Sequence, residues 1–320
     1  MSGQILRVES LKKYFKTAKG MVHAVDDVSF TIEKGRTMGL VGESGCGKST
    51  LGRTIIHLHE ATAGRIFFEE EDITNVKGKD LRRIRESMQI VFQDPYASLD
   101  PRMSVYDTIA EPLMLSKRFR RNALDAEVTR VMELVGIEQR LKNAYPHEMD
   151  GGRRQRVGIG RAIALNPKFI VCDEPVSALD VSIQAQVLNL LMDLQEEKKL
   201  TYLFVTHDMS VVEHISNDIS VMYLGQMVET CPTKELFAHP LHPYTKALLS
   251  AIPSVDIHNP TKRIAIKGEL TSPIDPKPGC RFASRCPHAS GQCGNPQKLV
   301  EFKPGHSVAC CLAKELNKAE

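Results

Sequence analysis

The chain has 320 residues, 42% of them hydrophobic and 25% charged, with a formal net charge of +3. That length holds one large domain with an appendix, or two domains, and the composition is that of a chain able to build a packed core. The small charge argues against a dedicated nucleic-acid binder. No apolar run approaches the ~18 residues of a membrane span, and the opening MSGQILRVESLKKYF has no continuous apolar segment, so no signal peptide is expected.

Along the chain, ILRVESLKKYF and HAVDDVSFTIEKG alternate apolar and polar positions as strands do, with Lys34-Gly35 marking a turn. RTMGLVG is a short buried strand and STLGRTIIHL a helix. GRIFFEEEDI is expected as one further strand with an acidic end, and MQIVFQDP as a strand running into a loop. From about Val105 to Gln139 the pattern turns helical: VYDTIAEPLML, then ALDAEVTRVMELVGI with apolar residues at three-four spacing. KFIVCDEP and LTYLFVTHD are apolar strands enclosing the helix VSIQAQVLNLLMDLQEE. Strands alternating with helices imply an α/β fold with a mostly parallel sheet covered on both faces. After about Ala251 the texture changes to Pro, Gly and Cys, which predicts a small separate domain over 251–320 behind a main body over 1–250.

GESGCGKST, Gly42 to Thr50, fits G-x-x-x-x-G-K-[ST] between a strand and a helix. Gly42, Glu43, Ser44, Gly45, Cys46 and Gly47 form a loop whose backbone N–H groups curl around phosphates. Lys48 supplies a cation for the β- and γ-phosphates, and Ser49 offers a hydroxyl to Mg²⁺. KFIVCDEP places Asp173 and Glu174 at the C-terminal end of a buried strand, where ligands sit in open α/β sheets. Asp173 suits Mg²⁺ held through water, and Glu174 suits the polarising of an attacking water. His207 in LFVTHD and Gln93 in VFQDP end two more strands, and the Gln93 amide reaches for metal or water.

Together these residues resemble the ATP-binding subunits of ABC transporters over roughly residues 5 to 245. The resemblance implies a P-loop nucleotide-binding domain with an antiparallel β subdomain and a helical subdomain at about 100–165. It also implies that two such domains sandwich two ATP molecules head to tail, each ATP lying between one subunit's phosphate loop and the other's signature turn. In that family Gln93 would couple the site to a permease, Asp180 would cross the dimer contact, and an aromatic near the N-terminus would stack on adenine. Phe15 aligns best with that aromatic, and Tyr14 is its neighbour.

The stretches VFQDPYASLDPRMSVYDTIAEPL, HPLHPYTKALLSAIP and GCRFASRCPHASGQC look like the oligopeptide/dipeptide importers, most like the second of their two ATPase subunits. The resemblance implies a homologous ATPase as partner, two integral-membrane permease subunits, and an extracellular or periplasmic substrate-binding protein acting indirectly. It places the chain peripherally on the cytoplasmic face of the cell membrane. Relatives carrying nickel or glutathione share these features. Two other classes stay open. A soluble ABC-type ATPase acting on nucleic acid or ribosomes tends to carry two cassettes or a long coiled-coil insertion, which this chain lacks. A regulatory module that holds ATP without turnover has Lys48, Glu174 and His207 against it.

The family's signature usually reads Leu-Ser-Gly-Gly-Gln; here it reads Met149-Asp150-Gly151-Gly152-Arg153. An ionised Asp only accepts hydrogen bonds, and at ~4 Å from a phosphate charge it repels by about 1–4 kcal/mol. Arg153 either neutralises Asp150, leaving the turn working, or reaches the phosphate itself. Uncompensated, Asp150 weakens the site that this turn completes on a partner, which predicts an asymmetric heterodimer.

Of eight cysteines, Cys280, Cys286, Cys293, Cys310 and Cys311 crowd into the last 41 residues. In a reducing compartment that crowding points to metal more than to disulfides. The spacing C-x5-C-x6-C-x16-C has neither gap as tight as a usual zinc pair. The resemblance favours a [4Fe–4S] cluster on Cys280, Cys286, Cys293 and Cys310, with Cys311 able to replace Cys310; Zn²⁺ and free or disulfide-bonded thiols stay open. His288 and His306 are expected at the surface.

Overall fold

The computed structural model describes residues 3–116, 121–253, 263–266, 268 and 272–317. The strands are β1 (Gln4–Thr17), β2 (Gly20–Glu33), β3 (Thr37–Val41), β4 (Ala63–Phe68), β5 (Glu71–Asp72), β6 (Met88–Val91), β7 (Phe169–Asp173), β8 (Thr201–Thr206), β9 (Asp218–Tyr223), β10 (Gln226–Pro232), β11 (Val300–Lys303) and β12 (His306–Val308). The α-helices are α1 (Lys48–Ile55), α2 (Gly78–Ser87), α3 (Val105–Ser116), α4 (Arg121–Leu134), α5 (Gly151–Ile163), α6 (Val181–Lys198), α7 (Met209–Ile215), α8 (Thr233–Ala238), α9 (Pro243–Ser250) and α10 (Ala313–Leu316). The chain packs into two compact units, one of Met1–Ile5, Ile32–Arg36 and Asn75–Val205, the other of Leu6–Thr31, Thr37–Thr74 and Thr206–Glu320.

In the first unit β6, β7 and β8 run parallel, with Ile90 opposite Val171 and Val171 opposite Leu203. Every residue of β7 and β8 is buried. That is why KFIVCDEP and LTYLFVTHD read as unbroken apolar runs rather than alternating ones. Helix α3 packs on α4 and α5, and α5 packs on β6 and α6. The buried Val128, Val131 and Met132 of α4, with Val135 just past its end, are the predicted three-four stripe.

In the second unit the sheet order is β2-β1-β4-β5, with β1 and β4 antiparallel and Val8 opposite Ile66. GRIFFEEEDI is not one strand. It is a tight hairpin of β4 and β5 turning at Glu69 (φ 49) and Glu70 (φ 71), so the first half of the acidic run is the turn and the second half is β5. The same unit pairs β3 with β9 in parallel, then β9 with β10, β10 with β12 and β12 with β11, all antiparallel. A two-residue turn with positive φ at Leu224 and Gly225 joins β9 to β10. The C-terminal strands thus extend this sheet. His306 is fully buried rather than at the surface, its Nε2 lying 2.7 Å from the Glu229 carboxylate, while His288 is exposed as expected.

Candidate active site

The phosphate loop follows β3, whose five residues are all buried. Gly42 and Gly47 have φ of 154 and 107, and a Cβ on them would stand 2.1 Å from the Met222 carbonyl oxygen and 1.9 Å from that of Ala24. Only glycine fits both the dihedral and the close approach. Lys48 is 4% exposed, and its ammonium donates to the carbonyls of Gly42 (2.7 Å) and Glu43 (3.0 Å), closing the loop on itself. The first turn of α1 holds no acidic side chain, so the helix dipole and Lys48 present positive potential together. Ser44 and Gly45 are exposed at the loop's tip, and Ser49 and Thr50 are half-buried. Burial raises the pKa of the Cys46 thiol, with Lys48 pulling the other way, so Cys46 is a packing residue.

Phe15 and Tyr14 divide cleanly. Tyr14 stacks on His23 at 4.0 Å and donates its hydroxyl to Asp26. Burial and that hydrogen bond raise the tyrosine's pKa. Phe15 is half-buried, lies T-shaped against His59 at 5.6 Å between ring centres, and has Lys13 Nζ 4.7 Å from its own ring centre. His207 is exposed just past β8, and Asp208 caps α7 by accepting from the Ser210 amide at 2.8 Å.

In the other unit, Asp173 is fully buried at the end of β7, and Glu174 is 8% exposed with φ 48. Positive φ is unusual for a glutamate and is held by its amide, which donates to Val205 O at 2.9 Å. Gln93 donates its amide to Glu174 Oε2 at 3.0 Å, so the structure joins these two predicted residues directly. Asp150 is the N-cap of α5 and accepts from the Arg153 amide at 2.8 Å, while Arg153 Nη1 stands 3.2 Å from its other oxygen. Here Arg153 neutralises Asp150, and Asp150 fills the capping role a serine would have filled. Gly151 and Gly152 form the start of α5. Asp180 precedes α6 and is exposed beside Val181, itself 82% exposed.

The C-terminal thiols converge. Cys280, Cys286, Cys293, Cys310 and Cys311 line one small cavity with Phe282 and His242, and none is in a disulfide. Burial first, then neighbouring thiols, push Cys280 and Cys310 up to about 11. They are neutral near pH 7 and would have to lose protons to a metal. Four sulfurs on one tetrahedral zinc lie about 3.8 Å apart, given Zn–S near 2.3 Å. Cys293 and Cys311 meet that spacing at 3.8 Å. Yet among the described residues the group of three ligand atoms all within 4.8 Å is Glu229, Cys231 and His306, with none of these five thiols. A cluster takes each thiolate on a different iron and so needs a wider cage than a single zinc does.

The sequence reading missed two arginines inside this cysteine loop. Arg281 donates to Asp26 and to the Leu224 carbonyl. Arg285 forks onto the phosphate-loop carboxylate of Glu43 at 2.6 and 3.1 Å. Phe282 between them is 1% exposed and packs at 5.3 Å on both Tyr223 and Tyr244. The signal available in the sequence was two cations in an otherwise uncharged CRFASRC, but not where they reach.

Residues 25–177 match a family model described as ABC transporter, and residues 228–293 one described as oligopeptide/dipeptide transporter, C-terminal region. The oligopeptide transport ATP-binding protein AppF of Bacillus subtilis (strain 168) is 49% identical, with 96% of this chain and 97% of that one covered. Its namesake OppF from the same organism is 49% identical, covering 98% of each. Among solved structures, cbiO1 from Clostridium perfringens, part of the complex cbiONQ, aligns with TM-score 0.66 at 29% identity, over 74% of this chain and 92% of that one. The cassette MJ0796, a dimer in a post-hydrolysis state bound to ADP and Pi, aligns with TM-score 0.65 at 26% identity, over 72% and 99%.

Proposed function

The chain belongs to the ABC transporter family as an ATP-hydrolysing subunit, and from that premise we propose that it energises a membrane permease importing oligopeptides. The observation that carries the cargo is similarity along nearly the whole chain, through the C-terminal region, to proteins named for oligopeptide transport.

ATP phosphates would take the loop amides of residues 42–47, and Lys48 would exchange its two loop carbonyls for phosphate oxygens. The Ser49 hydroxyl and, through water, the Asp173 carboxylate are hard oxygen donors of the kind Mg²⁺ prefers. Glu174 would orient and polarise the attacking water, held by Gln93, with His207 contacting the γ-phosphate. Phe15 would stack on adenine.

The partners would be a second, homologous ATPase, whose signature closes over this chain's loop, and two permease subunits at the cytoplasmic face of the membrane. Gln93 and the exposed Asp180 would report to them. Because Arg153 offsets the Asp150 charge, the turn would repel a phosphate less than a bare carboxylate would, and the asymmetry between the two sites would be one of degree. The five-thiol cavity would hold a [4Fe–4S] cluster on Cys280, Cys286, Cys293 and Cys310. When bound it supplies four iron–sulfur links that tie a loop with little regular structure; the protein's own part is to shield it behind Phe282 and His242.

The test is reconstitution with permease subunits in vesicles, following peptide uptake and ATP binding. Lys48→Ala is expected to abolish both. Retention of both by that variant would sink the reading.

A further inference from the structure

We propose that Arg285 is a positioning residue of the nucleotide site: from the cysteine loop it holds the Glu43 carboxylate and offsets its charge where the triphosphate must bind. This rests on the reading that residues 42–50 bind ATP. Glu43 is the second residue of that loop, so its carboxylate brings negative charge to a place built to receive phosphates. Uncompensated, a carboxylate within a few ångströms of a phosphate opposes binding by an order of magnitude or more.

The geometry addresses that charge directly. Arg285 Nη1 and Nη2 each donate to a different Glu43 oxygen, at 2.6 and 3.1 Å, the forked arrangement in which a guanidinium fixes direction as well as charge. Arg285 is 9% exposed and is itself steadied by the Tyr223 hydroxyl at 3.3 Å from Nη1. The Glu43 amide donates to the Tyr244 hydroxyl at 2.8 Å, so the backbone and side chain of this residue are held by groups 201 and 242 residues further along the chain. Tyr244 and Tyr223 pack on Phe282 of the same cysteine loop. One aromatic wedge and one fork therefore set the entrance of the phosphate loop.

The experiment measures binding of ATP with Mg²⁺ to the full-length chain by calorimetry at two ionic strengths, for wild type, Arg285→Gln, Arg285→Lys, Glu43→Gln and Arg285→Gln/Glu43→Gln. Arg285→Gln is expected to weaken binding about tenfold, more at low salt than at high. Arg285→Lys keeps the charge without the fork and falls between. The double variant is expected to bind as Glu43→Gln does, since nothing is left to offset. A purely structural fastening would instead lower thermal stability in Arg285→Gln and leave affinity unchanged. That outcome, or failure of Glu43→Gln to suppress the defect, overturns the proposal. Should Arg285→Gln not fold, Arg285→Lys and the double variant carry the comparison alone. Lys48→Ala separates the two levels: if it binds ATP as wild type does, the nucleotide reading itself fails and takes this proposal with it.

Discussion

At the scale of single residues, the site depends on side chains that hold one another: the Gln93 amide on the Glu174 carboxylate, and the Arg285 guanidinium on that of Glu43. The positions of Lys48 and Ser49 at the start of α1, and of Asp173 and Glu174 at the end of β7, could be read because each follows directly from a local strand pattern. The hydrogen bond from Gln93 to Glu174 spans 81 residues and the Arg285–Glu43 fork spans 242, and no spacing rule foretells either. His306 was misread because histidine is commonly exposed or half-exposed; its partner Glu229 makes burial tolerable. Two predictions belong here. Glu174→Gln should keep ATP binding and lose turnover about 10²- to 10⁴-fold, measured as phosphate release by the assembled transporter; turnover near wild type would show the competent site lies elsewhere. Arg153→Gln should raise the KM for ATP several-fold through the uncovered Asp150, and Asp150→Ser added to it should restore the value. The effect is modest because both side chains are roughly half exposed, at 43% and 54%, and solvent screens them.

At the scale of elements, parallel strands buried on both faces gave the clearest pattern, since nothing polar interrupts β7 or β8. Hairpins gave a weaker one. In GRIFFEEEDI two glutamates occupy a turn where Asn or Gly is usual, so composition suggested a continuing strand. The short α7 shows how much a cap matters. Seven residues are too few to be stable alone, and Asp208 holds two amides of its first turn. Asp208→Ala should cost about 1 kcal/mol, seen as a fall of a few degrees in Tm. Turnover should fall further than that loss explains, because the same residue follows His207.

At the scale of the whole molecule, a buried histidine contributes to the loss of stability in acid. His242 caps α9 through Nδ1, which accepts from the Tyr244 amide at 3.1 Å, and burial drops its pKa to about 4 against the opposite pull of Glu229. Between the unfolded value near 6.5 and about 4 the unfolded chain binds the extra proton, so stability falls as pH falls and levels off below that. The loss amounts to about 3 kcal/mol. Melting curves from pH 7 to pH 4 should show that slope, and His242→Asn, which keeps an acceptor for the amide, should flatten it. A thiol-bound metal is read the same way: protein purified without oxygen should carry iron and visible absorbance, and Cys280→Ser should lose both, whereas zinc in its place would refute the cluster.

The final hairpin has its own consequence. Glu229 on β10 accepts from the amides of Leu241 and His242 and from His306, and Thr230 faces Ser307 across the ladder. A protease nick ahead of Val300 that freed the last twenty-one residues would leave β10 as a naked sheet margin with a buried carboxylate stripped of one donor. Such a margin invites like molecules to zip onto it, so the clipped protein should elute as oligomers while the intact chain does not.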